Sequence, residues 1–246
     1  MILLVDVGNS RLKWTQANAG LLQPTLFMDY RQADFLECLR EFWLHIAAPR
    51  QLAIASVSEN AVTLLLLEMA RALWPGIEVI IPRASQAAFN VKNAYAQPER
   101  LGVDRWLALL AAHRYYPGDT CIVDCGTAIT IDFIETDGKH LGGLISPGLL
   151  LMKKSLAQNT AALPFNEDQA DTQLAVVTEA AINNGTLLAA AGLVEATLAR
   201  QPKVYRLVLS GGDAETVARY LAIPSIVDSD LVFKGMLNYC RNENAS

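Results

Sequence analysis

Val5-Asp6-Val7-Gly8-Asn9-Ser10 opens the chain, and Val123-Asp124-Cys125-Gly126-Thr127 repeats its pattern near the middle: an apolar run that ends in Asp-x-Gly and a hydroxyl or amide residue. One Asp-x-Gly is an ordinary turn. Two copies, each after a β-rich run and placed symmetrically in the chain, point to two related lobes facing one ligand. Each copy carries parts suited to a polyphosphate. The strand-end carboxylate can serve a metal ion or its waters, the Gly lets backbone N–H groups approach, and the Asn, Ser and Thr add neutral donors.

Working outward, residues 2–7 and 12–18 are expected as two strands joined by Gly8-Asn9-Ser10, a hairpin with the phosphate-type groups at its tip. Helical periodicity covers 33–47 and 61–73, an apolar strand covers 51–57, and a short strand covers 77–81. Residues 83–100 read as a polar loop, and 103–115 as a helix that stops before Pro117-Gly118. The expected division is a first lobe of residues 1–117 and a second of 118–246. The second lobe repeats the hairpin with strands at 120–124 and 129–134, a third strand at 141–145, and a helix from Pro147-Gly148. Residues 172–200 read as mostly helical, with Asn183-Asn184-Gly185 as a break point. A buried strand at 204–209 runs into Ser210-Gly211-Gly212-Asp213, a turn where a nucleotide base or ribose can lie against bare backbone.

Composition narrows the function. The 246 residues are 52% hydrophobic and 18% charged with a net charge of -5, the profile of a folded globular protein with no basic footprint for nucleic acid. Residues 1–5 lack the basic flank and long apolar core of a signal peptide, and the apolar stretch 141–152 is too short and too rich in Gly and Pro to span a bilayer. Cys38, Cys121, Cys125 and Cys240 form no C-x-x-C pair, which fits a reducing, cytoplasmic setting. His45, His113 and His140 have no zinc-ligand spacing.

There is no P-loop, no dinucleotide fingerprint and no protein-kinase signature set. The duplicated Asp-x-Gly turns and later Gly-Gly turn resemble the acetate kinase, sugar kinase, Hsp70 and actin superfamily, which implies an α/β fold: two related lobes of the actin-like ATPase (ribonuclease H-like) type with a nucleotide cleft between them. A narrower resemblance, to the type III pantothenate kinases, runs through most of the chain. Asp6-Val7-Gly8-Asn9-Ser10-Arg11-Leu12-Lys13 is similar to that family's first phosphate motif, with Ser10 where the family often has Thr. Asp124 to Asp132 is similar to the second, and Gly211-Gly212 to the adenosine turn. Asn93-Ala94-Tyr95, Pro98 and Leu101-Gly102-Val103-Asp104-Arg105-Trp106 resemble the substrate segment. Gly142 to Gly148, and Thr178 with Ala181 and Gly185, also fall where the family has them.

The resemblance implies ATP-dependent phosphorylation of the primary hydroxyl of pantothenate to 4'-phosphopantothenate, the opening step of coenzyme A synthesis. Phosphoryl transfer of this kind needs alignment and charge balance more than covalent help, and Lys13 with the donors of Gly8 to Ser10 and Thr127 suits that task. Asp104 occupies the position of the general base, and the start of a helix beside Arg105 favours its ionised form. Arg105 either anchors the pantothenate carboxylate or holds Asp104, while Tyr95, Gly102 and Val103 line the substrate segment. The resemblance further implies a homodimer in which Thr178 can serve the neighbouring subunit's site. Asp6 is expected to face Mg²⁺ through water, and Asp124 to match the ligand of a monovalent cation, potassium or ammonium. Asp132 reads as a strand-end acid. Two other readings remain: a small-molecule kinase of the same superfamily with another substrate, and a nucleotide-binding accessory or regulatory protein that transfers nothing.

Overall fold

A computed structural model describes residues 1–9, 11–56, 61–159 and 171–242. In chain order the elements are β1 (Ile2–Val7), β2 (Leu12–Asn18), β3 (Leu21–Leu22), β4 (Leu26–Met28), α1 (Phe35–Leu44), β5 (Gln51–Ser56), α2 (Ala61–Leu73), β6 (Glu78–Ile80), β7 (Ala87–Ala88), β8 (Val91–Lys92) and α3 (Val103–Tyr115). There follow β9 (Thr120–Cys125), β10 (Ala128–Ile134), β11 (His140–Pro147), α4 (Leu149–Asn159), α5 (Thr178–Ala199), β12 (Arg206–Ser210), α6 (Ala214–Ala218), β13 (Ile226–Val227) and α7 (Leu231–Asn242). They form two compact units: Met1–Phe89, Tyr95–Ala111 and Asp230 onward in the first, Asn90–Ala94 and Ala112–Ser229 in the second.

The first unit is built on a sheet of order β3-β2-β1-β5-β6, with β4 also paired to β2. β1 is antiparallel to β2 and parallel to β5, and its apolar residues are buried on both faces, as expected of a central strand. Leu3, Val5 and Val7 join Leu39, Trp43, Leu52, Ile54 and Leu66 in one core, where the Trp43 ring stacks on Trp74 at 5.4 Å. α7, for which the sequence reading has no element, lies against β1 and β5. It approaches closely because Gly235 meets the backbone of Leu107 in α3, where a side chain would strike the Leu107 carbonyl. Its membership of the first unit distinguishes the observed grouping from a single cut after residue 117.

The second unit has the order β11-β10-β9-β12-β13, with β9 antiparallel to β10 and parallel to β12. Its core joins Cys121, Val123, Cys125 and Ile131 to Leu187, Ala190 and Val194 of α5 and to Leu207 and Leu209. Two local expectations are corrected. α5 runs unbroken through Asn183-Asn184-Gly185: Asn183, Thr186 and Leu187 are buried, and that burial offsets the helix penalty of about 1 kcal/mol at Gly185. The stretch 83–100 contains the small hairpin β7-β8, closed by Phe89 and Asn90 at φ 52° and 65°, a left-handed pair that sequence reading associates with glycine.

Candidate active site

The β1-β2 hairpin holds the first turn. Gly8 N–H donates to the Arg11 carbonyl at 3.1 Å, and the Tyr30 hydroxyl donates to the Gly8 carbonyl at 2.9 Å. Tyr30 is a support that the sequence reading misses, because it lies far from the turn in the chain with no motif of its own. Asp6 sits directly across from Lys13 in the ladder, so the two side chains leave the same face of the sheet. Val7 and Leu12 pair likewise, but both are fully buried and offer only backbone to a ligand. Asn9 is exposed at the tip, and the exposed Arg11 guanidinium lies 5.2 Å from the Phe27 ring centroid. Ser10 lies outside the described residues.

Tyr95, Gly102, Val103, Asp104 and Arg105 come together in the first unit. Asp104 stands in the first turn of α3, where unpaired N–H groups favour negative charge, and its Oδ1 accepts the Arg105 N–H at 2.8 Å. Gly102 makes room for this: a methyl group there would sit 2.6 Å from that carboxylate oxygen. Arg105 is 6% exposed and donates from Nη1 to the Tyr95 hydroxyl at 2.9 Å, its guanidinium carbon 5.6 Å from the Tyr95 ring centroid. Val103 is buried and anchors the helix start.

In the second unit, Asp124 shares a sheet face with Thr130, its partner on β10, and Ser210, its partner on β12, so three oxygen-bearing side chains stand in one row. Gly211, at φ 91°, closes against this row. A Cβ there would strike the Asp124 carboxylate and come within 2.5 Å of the Cys125 carbonyl, which also accepts the Asp213 N–H at 3.0 Å. The turn carrying exposed Thr127 is held from the other side by Gly148, whose N–H donates to the Thr127 carbonyl at 2.9 Å. Burial, reinforced by the Asp124 and Asp213 carboxylates, pushes the Cys125 thiol up to about 12, so it stays neutral. Gly212 is exposed, and Thr178 is the exposed first residue of α5. Among the described residues no group of three or more His, Cys, Asp or Glu side chains is placed to hold a metal ion.

A family model for type III pantothenate kinase matches residues 2–200. A type III pantothenate kinase of Nitrosococcus oceani is 35% identical over 252 residues, covering 98% of this chain and 94% of the relative. The chain belongs to the type III pantothenate kinase family. A second type III pantothenate kinase, from Burkholderia thailandensis, is 36% identical with 95% of each chain covered. Like its family, the chain is a kinase that uses ATP to phosphorylate pantothenate in coenzyme A synthesis.

Solved structures show the fold more widely. One described as a Baf family transcriptional activator from Campylobacter jejuni has a TM-score of 0.66 at 24% identity, covering 99% of this chain and all of that one. The activator of 2-hydroxyisocaproyl-CoA dehydratase from Clostridium difficile, with bound ADPNP, has a TM-score of 0.56 at 13% identity, with 99% and 95% covered. The pantothenate kinase fold is thus the actin-like ATPase α/β fold of two related lobes. No helix among the described residues is long and apolar enough to cross a membrane.

Proposed function

We propose that Asp104 takes the proton from the primary hydroxyl of pantothenate as the hydroxyl oxygen attacks the γ-phosphorus of ATP and the bond to the β–γ bridging oxygen breaks, with ADP leaving. The observation that carries this is the cluster at the start of α3. Gly102 leaves space for the Asp104 carboxylate, the Arg105 N–H fixes one of its oxygens, and the Arg105 guanidinium is bonded to Tyr95. Of the two roles left open for Arg105, we favour substrate binding, because its guanidinium donates to the Tyr95 hydroxyl within the substrate segment. The planar guanidinium suits the pantothenate carboxylate.

ATP's phosphates fall to Gly8, Asn9, Ser10, Arg11 and Lys13, with backbone from Val7 and Leu12, and to Thr127, and adenosine falls to Gly211-Gly212. Lys13 supplies positive charge across from Asp6. Mg²⁺ keeps its waters and the nucleotide's oxygens, with Asp6 as its protein carboxylate. The row of Asp124, Thr130 and Ser210 offers hard oxygen ligands of the kind a potassium or ammonium ion takes.

The working form is a homodimer. β11 is an edge strand with Leu144 and Ile145 exposed, Leu150 and Leu151 of α4 are exposed, and Leu174 and Val176 just ahead of Thr178 are fully exposed. A second copy covering these residues would bring Thr178 to its neighbour's substrate. Four free cysteines fit a cytoplasmic setting.

The test is phosphopantothenate formation from MgATP and pantothenate, in potassium and then sodium buffer, with Asp104→Asn alongside. Loss of a general base lowers kcat by about a hundredfold to ten-thousandfold, and product must depend on potassium. Undiminished turnover by Asp104→Asn would remove it from the role, and equal rates in the two buffers would remove the cation.

A further inference from the structure

Asp132 and His140 take no part in the site as described, yet in the second unit they form a buried pair. His140 Nε2 lies 2.9 Å from Asp132 Oδ1, and the two side chains are 0% and 4% exposed. The other ring nitrogen, Nδ1, faces the backbone N–H of Ala94 at 3.3 Å. An N–H can only donate, so Nδ1 accepts, and the ring's own proton sits on Nε2 and is donated to the carboxylate. The neighbouring backbone supports the same docking. Lys92 N–H donates to the Gly138 carbonyl at 2.9 Å, and Gly138 approaches so closely that a side chain there would strike the Asn90 carbonyl. Residues 92 and 94 therefore make successive contacts with 138 and 140, and the imidazole stands where the next carbonyl of a ladder would. Ala94 is followed at once by Tyr95, whose hydroxyl receives the Arg105 guanidinium.

We propose that Asp132 and His140 are positioning residues for pantothenate. The carboxylate orients the ring, the ring holds Ala94, and the held backbone sets where Tyr95 and Arg105 meet the substrate. This rests on the reading of Tyr95 and Arg105 as substrate contacts. The two residues are separated in the chain from the segment they hold; Asp132 closes the second phosphate motif but lies well along β10, opposite Gly143 and away from the Thr127 turn at the strand's start, so their effect falls on pantothenate rather than ATP.

Three variants test it. His140→Phe keeps a ring but removes both nitrogens, Asp132→Leu removes the acceptor, and Asp132→Asn keeps one. Loss of the buried hydrogen bond raises the pantothenate KM about tenfold in the first two while leaving the ATP KM within about twofold, and Asp132→Asn stays near the parent. Amide exchange at residues 92–96 quickens in the first two variants only. Equal increases in both KM values, an unchanged pantothenate KM in folded protein, or unchanged exchange at 92–96 would overturn the proposal. Should His140→Phe fail to fold, Asp132→Leu against Asp132→Asn decides. The exchange measurement reads the docking even if the parent makes no phosphopantothenate, a result that would instead strike the substrate reading.

Discussion

At Gly102 a hydrogen in place of a side chain decides where the Asp104 carboxylate rests. Gly102→Ala moves a carboxylate rather than the backbone, so it leaves folding nearly intact but misplaces the proposed base by a fraction of a residue's width. Kinetics of the purified variant should show kcat reduced about a hundredfold, with a melting temperature close to the parent's. Gly211→Ala is a different case. Its φ of 91° is left-handed, and a methyl group would meet the Cys125 carbonyl as well as Asp124. The strain alone is about 1–2 kcal/mol, and the displaced turn should raise the KM for ATP while pantothenate affinity holds. Titration with each substrate separates the two effects. Taken locally, Gly102, Asp104 and Gly211 read as a helix-start acid and a tight turn; they were legible through the resemblance of their segments to a family's motifs. Tyr30 and the Asp132–His140 pair were not, since each acts on a partner distant in the chain and has no spacing to betray it.

Elements were read as well as their patterns were regular. β1, β2, β5, α2 and α3 follow apolar alternation or helical periodicity that any window detects, and the observed ends lie within a residue or two of the expected ones. β3, β4 and β13 are two or three residues long and owe their existence to the strands beside them. The β7-β8 hairpin turns on Phe89 rather than glycine, held where the ring meets Tyr239 of α7 at a centroid distance of 5.8 Å. α7 itself depends on a glycine whose purpose is visible only against Leu107. Gly235→Ala should destabilise the first unit by about 1–3 kcal/mol through overpacking, measured by denaturant unfolding. An unchanged midpoint would mean that α7 can lift away from α3 at no cost.

For the whole molecule, buried thiols set an alkaline limit. Burial raises both Cys121 and Cys125 from 9.0 to about 12. The folded state therefore keeps both protons while the unfolded chain releases them near pH 9. Their contribution is complete below pH 9 and is lost as the pH rises towards 12, at about 1.4 kcal/mol per pH unit for each thiol. Unfolding free energies at pH 8, 9 and 10 should be level and then fall, and replacing both cysteines with Ala should flatten the fall while lowering stability throughout. A parent protein equally stable at pH 8 and pH 10 would contradict this.

The two sheets share more than a motif. In each, the central strand has an antiparallel neighbour on one side and a parallel neighbour on the other, with a second parallel strand beyond, and the chain enters them in the same sequence. Such a correspondence is what duplication of an ancestral half-length gene leaves behind. That ancestor would have carried a single Asp-x-Gly turn at the end of its central strand. The present differences then lie after the shared strands: the first copy is followed by the helix start that carries Asp104, the second by the Gly211-Gly212 turn.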